Sequence, residues 1–517
     1  MRVYLVNPGL YASFWSLSEA ADIVGKPGYI PNLAPPTLAA LTPPDVEVVI
    51  CDETVDTVDL DMPCDLVGIT GYVSQSRRMI ELAGLFRERG RLVALGGPFA
   101  SLSPERCRPH CDVLFTGEAE LTWPAFLEDL RAGRPRDHYG QAEKIDFALS
   151  PPPRIDLLRN DRYAIGVIQT SRGCPFECEF CDVIVYLGRR IRHKPVAQIL
   201  TEADTLYGYG YRSIFLSDDN FTVNRKKATE ILSALRAWNR ERDEPVIFAT
   251  QLSIDIVRDP GVVDLCAAAG LNVAFVGIET PNQSALAEAK KRQNVGRDLQ
   301  ASIRELQARG VCVQAGMIVG FDHDTTDVFR AQFEFLQGAN VPICSPGMLN
   351  APAGTPLERR LRADGRLVDR PDFDHYSETN IVPKQMSVDQ LRHGTRWLLN
   401  RLYQPVHFTE RLLGLYEIWP DAGPVHLGLG VEEGAEHYTR LLRAFASMGP
   451  DFRRIPLRIL RQWKQKPSGL NAVFSALVTY KHIVSVMRRL DMWDPELGKA
   501  ASPWASDRHG LEPPPAP

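Results

Sequence analysis

The sequence predicts an α/β protein with three parts: an N-terminal Rossmann-like, doubly wound sheet, a partial barrel of six βα units, and a helical C-terminal region. Three observations predict it. Two series of short apolar, β-rich runs alternate with helical patterns; a proline stretch separates the two series; and beyond about residue 384 only helical patterns remain. The expected boundaries are 1–140 for the first sheet, 141–163 for a linker, 164–383 for the barrel, 384–505 for the helical region and 506–517 for a disordered tail.

In the first series, residues 3–6, 46–51, 66–70, 92–95 and 113–115 read as short buried strands, with an amphipathic helix over 77–89. The start, Met1 to Pro8, reads as a first strand and its loop, not a signal peptide. Ligands of such parallel sheets lie beyond the carboxyl ends of the strands. Those ends carry Asn7-Pro8-Gly9, Thr70-Gly71-Tyr72-Val73-Ser74, Gly96-Gly97-Pro98 and Thr116-Gly117-Glu118. Glycine there lets backbone approach a large ligand closely.

Ser150-Pro151-Pro152-Pro153 can hold neither a helix nor a central strand, so it reads as a linker. The second series places strands at 165–169, 213–216, 246–250, 273–277, 312–319 and 343–349, with helices such as 226–240 and 262–269 between them. By analogy with full barrels, chemistry is expected at the carboxyl ends of these strands. The C-terminal region is rich in Leu, Arg and Trp (Trp397, Trp419, Trp463, Trp493). Those side chains either form its own core or cap the barrel mouth and shape an apolar pocket. The polar tail ends in Glu-Pro-Pro-Pro-Ala-Pro and is expected to be disordered.

Composition narrows the function classes. The 517 residues are 44% apolar and 24% charged, which suits a globular chain of two or three domains. A formal charge of −5 provides no broad basic field, so nucleic acid is a poor partner. No uninterrupted apolar run of about 18 residues occurs, so no membrane span is expected. Seven cysteines (Cys51, Cys64, Cys107, Cys111, Cys266, Cys312, Cys344) are scattered without a disulfide framework, and the cytoplasm is the expected compartment.

The other three cysteines are clustered. Ser171-Arg172-Gly173-Cys174-Pro175-Phe176-Glu177-Cys178-Glu179-Phe180-Cys181-Asp182 places three thiols in one loop after the first barrel strand. Three is one short of the four that hold an electron-transfer cluster, and a cubane held by three leaves one iron open for a substrate. Two structural alternatives stand beside this. Cys174, Cys178 and Cys181 with His193 could form a Cys₃His zinc site. A ferredoxin-like carrier would need a fourth nearby cysteine, and the next in sequence, Cys266, falls on an expected helix far away.

The spacing Cys-x-x-x-Cys-x-aromatic-Cys after the first strand of a βα series resembles the signature of radical S-adenosylmethionine enzymes. The preceding domain resembles the cobalamin-binding domain of one large branch of that superfamily, which includes hopanoid and bacteriochlorophyll methylases. Phrases similar to that subgroup's stand at Cys178–Asp182, Asp218–Phe221, Gly277–Pro281 and Ile318–Asp322, and the helical region is similar to the subgroup's C-terminal extension. The resemblance implies a [4Fe–4S] cluster on Cys174, Cys178 and Cys181, whose open iron binds S-adenosylmethionine. It implies further contacts to that cosubstrate from Phe180, Asp218, Asp219, Asn220, Gln251, Glu279 and Gly320. The plainer reading of Asp218 or Asp219 is a helix cap, and that of Phe180 a hydrophobic plug.

For cobalamin, the resemblance implies contacts from Asn7, Thr70, Gly71, Ser74, Gly96, Gly97, Gly117 and Glu118. The Asp-x-His-x-x-Gly that supplies a lower axial histidine in many cobalamin modules is replaced here by Asn7-Pro8-Gly9-Leu10-Tyr11, and the first histidine is His110. Neither that histidine nor the cofactor's own base is therefore expected on the lower face; a domain that no longer holds the cofactor is the competing reading. The basic run Arg189, Arg190, Arg192, His193 and Lys194 reads as solvated surface, or as a contact to a cobalamin amide or phosphate or to an acidic substrate. The activity implied is radical methylation of an unactivated carbon of a small molecule, with an external low-potential donor such as flavodoxin or ferredoxin. A cobalamin-dependent cyclase or rearrangement enzyme shares every motif, and a non-catalytic metal-binding scaffold is the reading from another class.

Overall fold

Six parallel strands build the first sheet: β1 (Arg2–Asn7), β2 (Glu47–Asp52), β3 (Leu66–Thr70), β4 (Val93–Gly96), β5 (Val113–Thr116) and β6 (His138–Gly140), in the order β2-β1-β3-β4-β5-β6. The computed structural model describes residues 1–10, 13–14, 16–141, 143–368, 378–421 and 431–504, side chains of 431–434 excepted. The expected disordered tail, 506–517, lies outside them. β3 is buried along its whole length, as a central parallel strand covered on both faces must be. The helix Ser76–Glu88 covers one face with Met79, Leu82, Ala83 and Phe86, all fully buried at helical spacing. β6 escaped the sequence reading because its single buried side chain, Tyr139, sits between exposed His138 and Gly140 and makes no apolar run.

The 2-1-3 order puts the winding reversal between β1 and β3. In open α/β sheets a ligand lies in the crevice at such a reversal, beyond the carboxyl ends of the strands, and Asn7 and Thr70 end its two strands. Topology thus selects, among several glycine-bearing strand ends, the one where the sheet opens.

The proline-rich connection is anchored at several points. Tyr163 donates its hydroxyl to buried Asp52 at 2.8 Å, Gly28 and Tyr163 form a β-bridge, and Ser150 donates to Glu120 at 2.9 Å. The second sheet runs β7 (Gly166–Ile168), β10 (Ser213–Leu216), β11 (Ile247–Leu252), β12 (Leu271–Glu279), β13 (Cys312–Val319) and β14 (Ile343–Met348). Each pairs in parallel with the next, and β7 and β14 are left as open edges. This is the expected partial barrel. An antiparallel pair that sequence did not suggest, β8 (Ser171–Arg172) and β9 (Arg192–His193), closes the base of the cysteine loop.

The C-terminal helices share one hydrophobic core with the barrel. Trp397, Trp419 and Trp463 are buried in it, so they serve as core. Tyr403, after the helix Val388–Leu402, donates its hydroxyl to the Cys344 carbonyl of β14 at 2.6 Å, covering that open edge. The segment Pro467–Arg489 is long and apolar enough to cross a membrane by composition alone, although Asn471, Lys481 and His482 interrupt its apolar residues. Some 72% of its apolar window is buried inside the molecule, as for a core helix.

That helix also holds the N-terminal region. His482 is fully buried; its Nε2 donates to the Ser13 carbonyl at 3.0 Å and its Nδ1 accepts from the Glu19 amide at 3.2 Å. Burial pushes its imidazole down to about 4, against the hydrogen bond to Ser13 and the charge of Glu19, with Lys481 adding to the depression. Above pH 6.5 the ring is neutral folded or unfolded. Below it the unfolded chain takes up a proton that the folded chain refuses until about pH 4, so stability falls across that window by about 3 kcal/mol. Thermal unfolding between pH 7 and 4.5 should show this loss, and His482→Gln should flatten it; an unchanged slope in the variant would assign the loss to other groups.

Candidate active site

The cysteine loop is a hairpin excursion from the β8–β9 ladder. Gly173 opens it at φ 91°, with the Arg190 carbonyl only 2.6 Å from where a Cβ would stand, so no other residue fits there without displacement. The Cys174 amide donates to the Gly188 carbonyl at 3.2 Å, Glu179 to Ala289 at 3.1 Å, and Cys181 to Cys178 at 3.1 Å. Cys178 is buried, while Cys174 and Cys181 are half-buried. Burial and the neighbouring thiols push the Cys174 thiol up.

Two residues missed by the sequence reading stand over these sulfurs. The Gln293 amide points at the Cys178 Sγ from 3.7 Å, and Lys291 is held at 2.6 Å from Glu279. Burial disfavours the Lys291 cation, yet Glu279, Cys178 and Cys181 raise it well above the ordinary lysine range. Glu279 owes its aim to a β-bulge at the end of β12, where it adopts φ 68°. Such bulges re-aim side chains beside sites, at a strain cost of about 1–3 kcal/mol. No local motif announces Lys291 or Gln293; they arrive by way of the loop that follows the next helix.

The Asp-Asp-Asn triplet after β10 divides into three situations. Asp218 is fully buried and accepts from Thr170 at 3.0 Å and Ser171 at 2.6 Å; burial pushes its carboxyl up to about 7 against those bonds. It ties β10 to the base of the cysteine loop and does not line the cavity described next. Asn220 is likewise buried and donates to Ser253 at 2.7 Å. Asp219 does face the cavity, accepts from the Gly173 amide at 3.3 Å, and is pushed by burial up to about 6. Neither aspartate caps a helix; Asn224 caps Arg225–Arg240 by accepting from Lys227.

A cavity of about 910 Å³ joins the carboxyl ends of the two sheets. Of the residues singled out from sequence, Asn7, Thr70, Gly96, Gly97, Gly117 and Glu118 line it from the first sheet, and Cys181, Asp219 and Gln251 from the barrel. At Gly97, φ 92°, a Cβ would stand only 2.5 Å from the Thr70 hydroxyl, so the turn has room for glycine alone, the close approach expected there. Gly71, Ser74, Glu279, Gly320 and Phe180 lie outside the lining. Ser74 points to solvent, Gly320 takes φ 107° and donates to Asp324, and Phe180 packs on Phe321 as a plug. Tyr72 and Tyr186 line the cavity beside Asp219, and the segment between β1 and β2 supplies a wall through Leu17, Tyr29, Ile30 and Leu33. No histidine is among the described lining residues. Among the described residues, none of the C-terminal helices lines it either. Tyr11, the end of the loop that replaces the histidine motif, lies outside the described residues.

Asn7 and Glu118 line the cavity with side chains already engaged. Asn7 donates to Asp52 at 2.8 Å and accepts from Asn32 and Gln75. Glu118 accepts from Arg192 at 2.7 Å and Arg172 at 3.0 Å; Glu120 accepts from Arg172 at 2.7 Å. Burial pushes Glu120 up, but Arg172 and Ser150 more than offset it and hold the carboxyl below its usual range. Glu118 and Glu120 thereby fasten the first sheet to the base of the cysteine loop. Of the basic run, Arg192 is absorbed here, Lys194 pairs with Glu202 at 2.6 Å, and Arg189 and Arg190 stay exposed.

A model of the radical SAM superfamily matches residues 168–336, and a domain of unknown function (DUF4070) matches 355–491. The chain is 36% identical over 390 residues to an uncharacterized methyltransferase of Synechocystis, covering 74% of this chain and 73% of that protein. It is 30% identical over 424 residues to the hopanoid C-2 methylase of Rhodopseudomonas palustris, covering 80% and 79%. The chain belongs to the radical S-adenosylmethionine family. Its fold resembles that of the cobalamin-dependent S-adenosylmethionine radical enzyme OxsB with aqua-cobalamin and S-adenosylmethionine bound, with TM-score 0.60, 17% identity, and coverage of 95% of this chain and 80% of that one.

The residues present fit the cofactors of this radical S-adenosylmethionine branch. Among the described residues no three His, Cys, Asp or Glu side chains converge on one point where a single ion could sit. A cubane instead takes each thiolate on a different iron, and the Lys291 cation and Gln293 amide suit the charge of such a cluster. His193, the fourth ligand a zinc site would need, is set beside Lys227 and Glu230.

Proposed function

We propose that this chain is a cobalamin-dependent radical S-adenosylmethionine methyltransferase acting on an unactivated carbon of a small metabolite. The observation that carries the reading is the single cavity in which the β1/β3 switch point of the first sheet and Cys181 and Asp219 of the barrel face the same space. The names of the methylase relatives support methyl transfer over other uses of such a site. When bound, the cluster supplies the electron that cleaves S-adenosylmethionine to a 5′-deoxyadenosyl radical, and cobalamin supplies the methyl group.

The chain's own residues bind, orient and enclose. Cys174, Cys178 and Cys181 would hold the cluster at the barrel mouth. Asp219, open to the cavity, is placed to accept from the ammonium of the cosubstrate, with Gln251 across the mouth. Gly96, Gly97 and Gly117 form the backbone cradle on which a flat, large cofactor can lie. The apolar wall of Leu17, Ile30 and Leu33 keeps water from the radical path.

With substrate and a low-potential reductant, 5′-deoxyadenosine and S-adenosylhomocysteine should form in near-equal amounts with the methylated product. A deuterium at the target carbon should appear in the deoxyadenosine. Substrate consumption with deoxyadenosine but no gained carbon would favour a cyclase or rearrangement, and methylation without deoxyadenosine would refute hydrogen abstraction.

A further inference from the structure

The outer surface of the cysteine loop carries a feature that the methyl-transfer reading does not use. The loop lies between two strips of chain, 188–190 and 289–293, joined to it through Gly188, Arg190 and Ala289. Along the second strip the side chains alternate. Lys291 and Gln293 turn in toward the sulfurs, while Lys290 and Arg292 turn out to solvent. On the first strip, Arg189 and Arg190 are exposed as well. Arg189 donates to the Pro175 carbonyl at 3.3 Å and pairs with Glu177 at 2.9 Å, and Arg292 reaches the same carboxylate at 3.9 Å. Two cations therefore share one carboxylate beside Cys178, and their chain neighbours Arg190 and Lys290 are exposed as well, in a chain whose net charge is −5. Pro175, whose carbonyl Arg189 holds, is exposed, and so is the apolar Val185 on the helical turn after Cys181.

We infer that this patch is the docking surface for a small acidic one-electron carrier protein. The inference rests on the radical reading of the site, since only a redox cluster needs an electron delivered there. The charge is local and of opposite sign to the molecule as a whole, so an acidic partner is steered to this face and repelled elsewhere. The exposed apolar surface on the loop is small, which suits the weak, transient encounters typical of electron transfer. The patch also sits on the short segment between Cys174 and Cys178, through Pro175 and Glu177, so a partner bound there lies against the cysteine loop itself. One electron passes from the reduced carrier, which is oxidised, to the cluster, which is reduced; no bond forms or breaks at the surface.

The test uses the cluster-loaded holoenzyme and measures 5′-deoxyadenosine formation with two reductants, reduced flavodoxin and dithionite. Replacing Arg189→Glu, Arg190→Glu and Arg292→Glu together should slow the flavodoxin-driven rate about tenfold or more at low salt. The dithionite-driven rate and the iron content should stay unchanged. With the unmodified chain, added salt should slow the flavodoxin-driven rate and leave the dithionite-driven rate alone. An unaltered flavodoxin rate in the variant, or a parallel fall with both reductants, would overturn the docking site. Absence of deoxyadenosine from the unmodified chain with either reductant would instead remove the radical reading, and this inference with it.

Discussion

Replacing Cys174, Cys178 and Cys181 together by alanine is expected to remove the bound iron, its brown colour and all 5′-deoxyadenosine formation, while the chain keeps its fold. The reason is the way the loop is built. Its shape comes from the β8–β9 ladder, Gly173 and backbone bonds to Gly188 and Ala289, none of which involves sulfur. Only Cys178 is buried, and alanine there loses one modest contact with Gln293. Far-ultraviolet circular dichroism of the variant should therefore match that of the parent, with the catalytic readout at background. Retention of about four irons per chain in the variant would place the cluster elsewhere.

Glu118→Ala is expected to lower stability by about 3–5 kcal/mol, the typical result of stripping one partner from a buried ion pair. Arg192 is almost wholly buried and relies on Glu118 for its only carboxylate contact among the described residues, while Arg172 keeps Glu120. The midpoint of the first thermal transition should fall by roughly 10 °C for a unit of this size. Removing Arg192 as well should restore part of the loss, because no uncompensated charge then remains inside. A single variant within 1 °C or so of the parent would show that water reaches Arg192 and that the network does not fasten the two sheets. The same substitution should loosen the cysteine loop, since Arg192 forms its base.

Much of this molecule is written locally. The two βα series, the cysteine spacing and the helical C-terminus follow from periodicity and short motifs, because buried parallel strands need continuous apolar runs and a cluster loop needs closely spaced thiols. The strand-end glycines could be picked out for the same reason: backbone that approaches a ligand or takes a positive φ leaves its mark at a single position. What the local pattern could not carry was partnership. β6 has too few residues to show a pattern, and Lys291, Gln293, Arg172 and Glu120 acquire meaning only when segments distant in sequence come together around the cysteine loop. Asp218 and Asp219 are adjacent and chemically identical, yet one is buried against Thr170 and Ser171 and the other opens into the cavity. The sequence by itself determined which chemistry the chain can hold. The tertiary structure alone decided which side chains face that chemistry, because facing is set by strand order and by the way the two sheets are joined around one cavity.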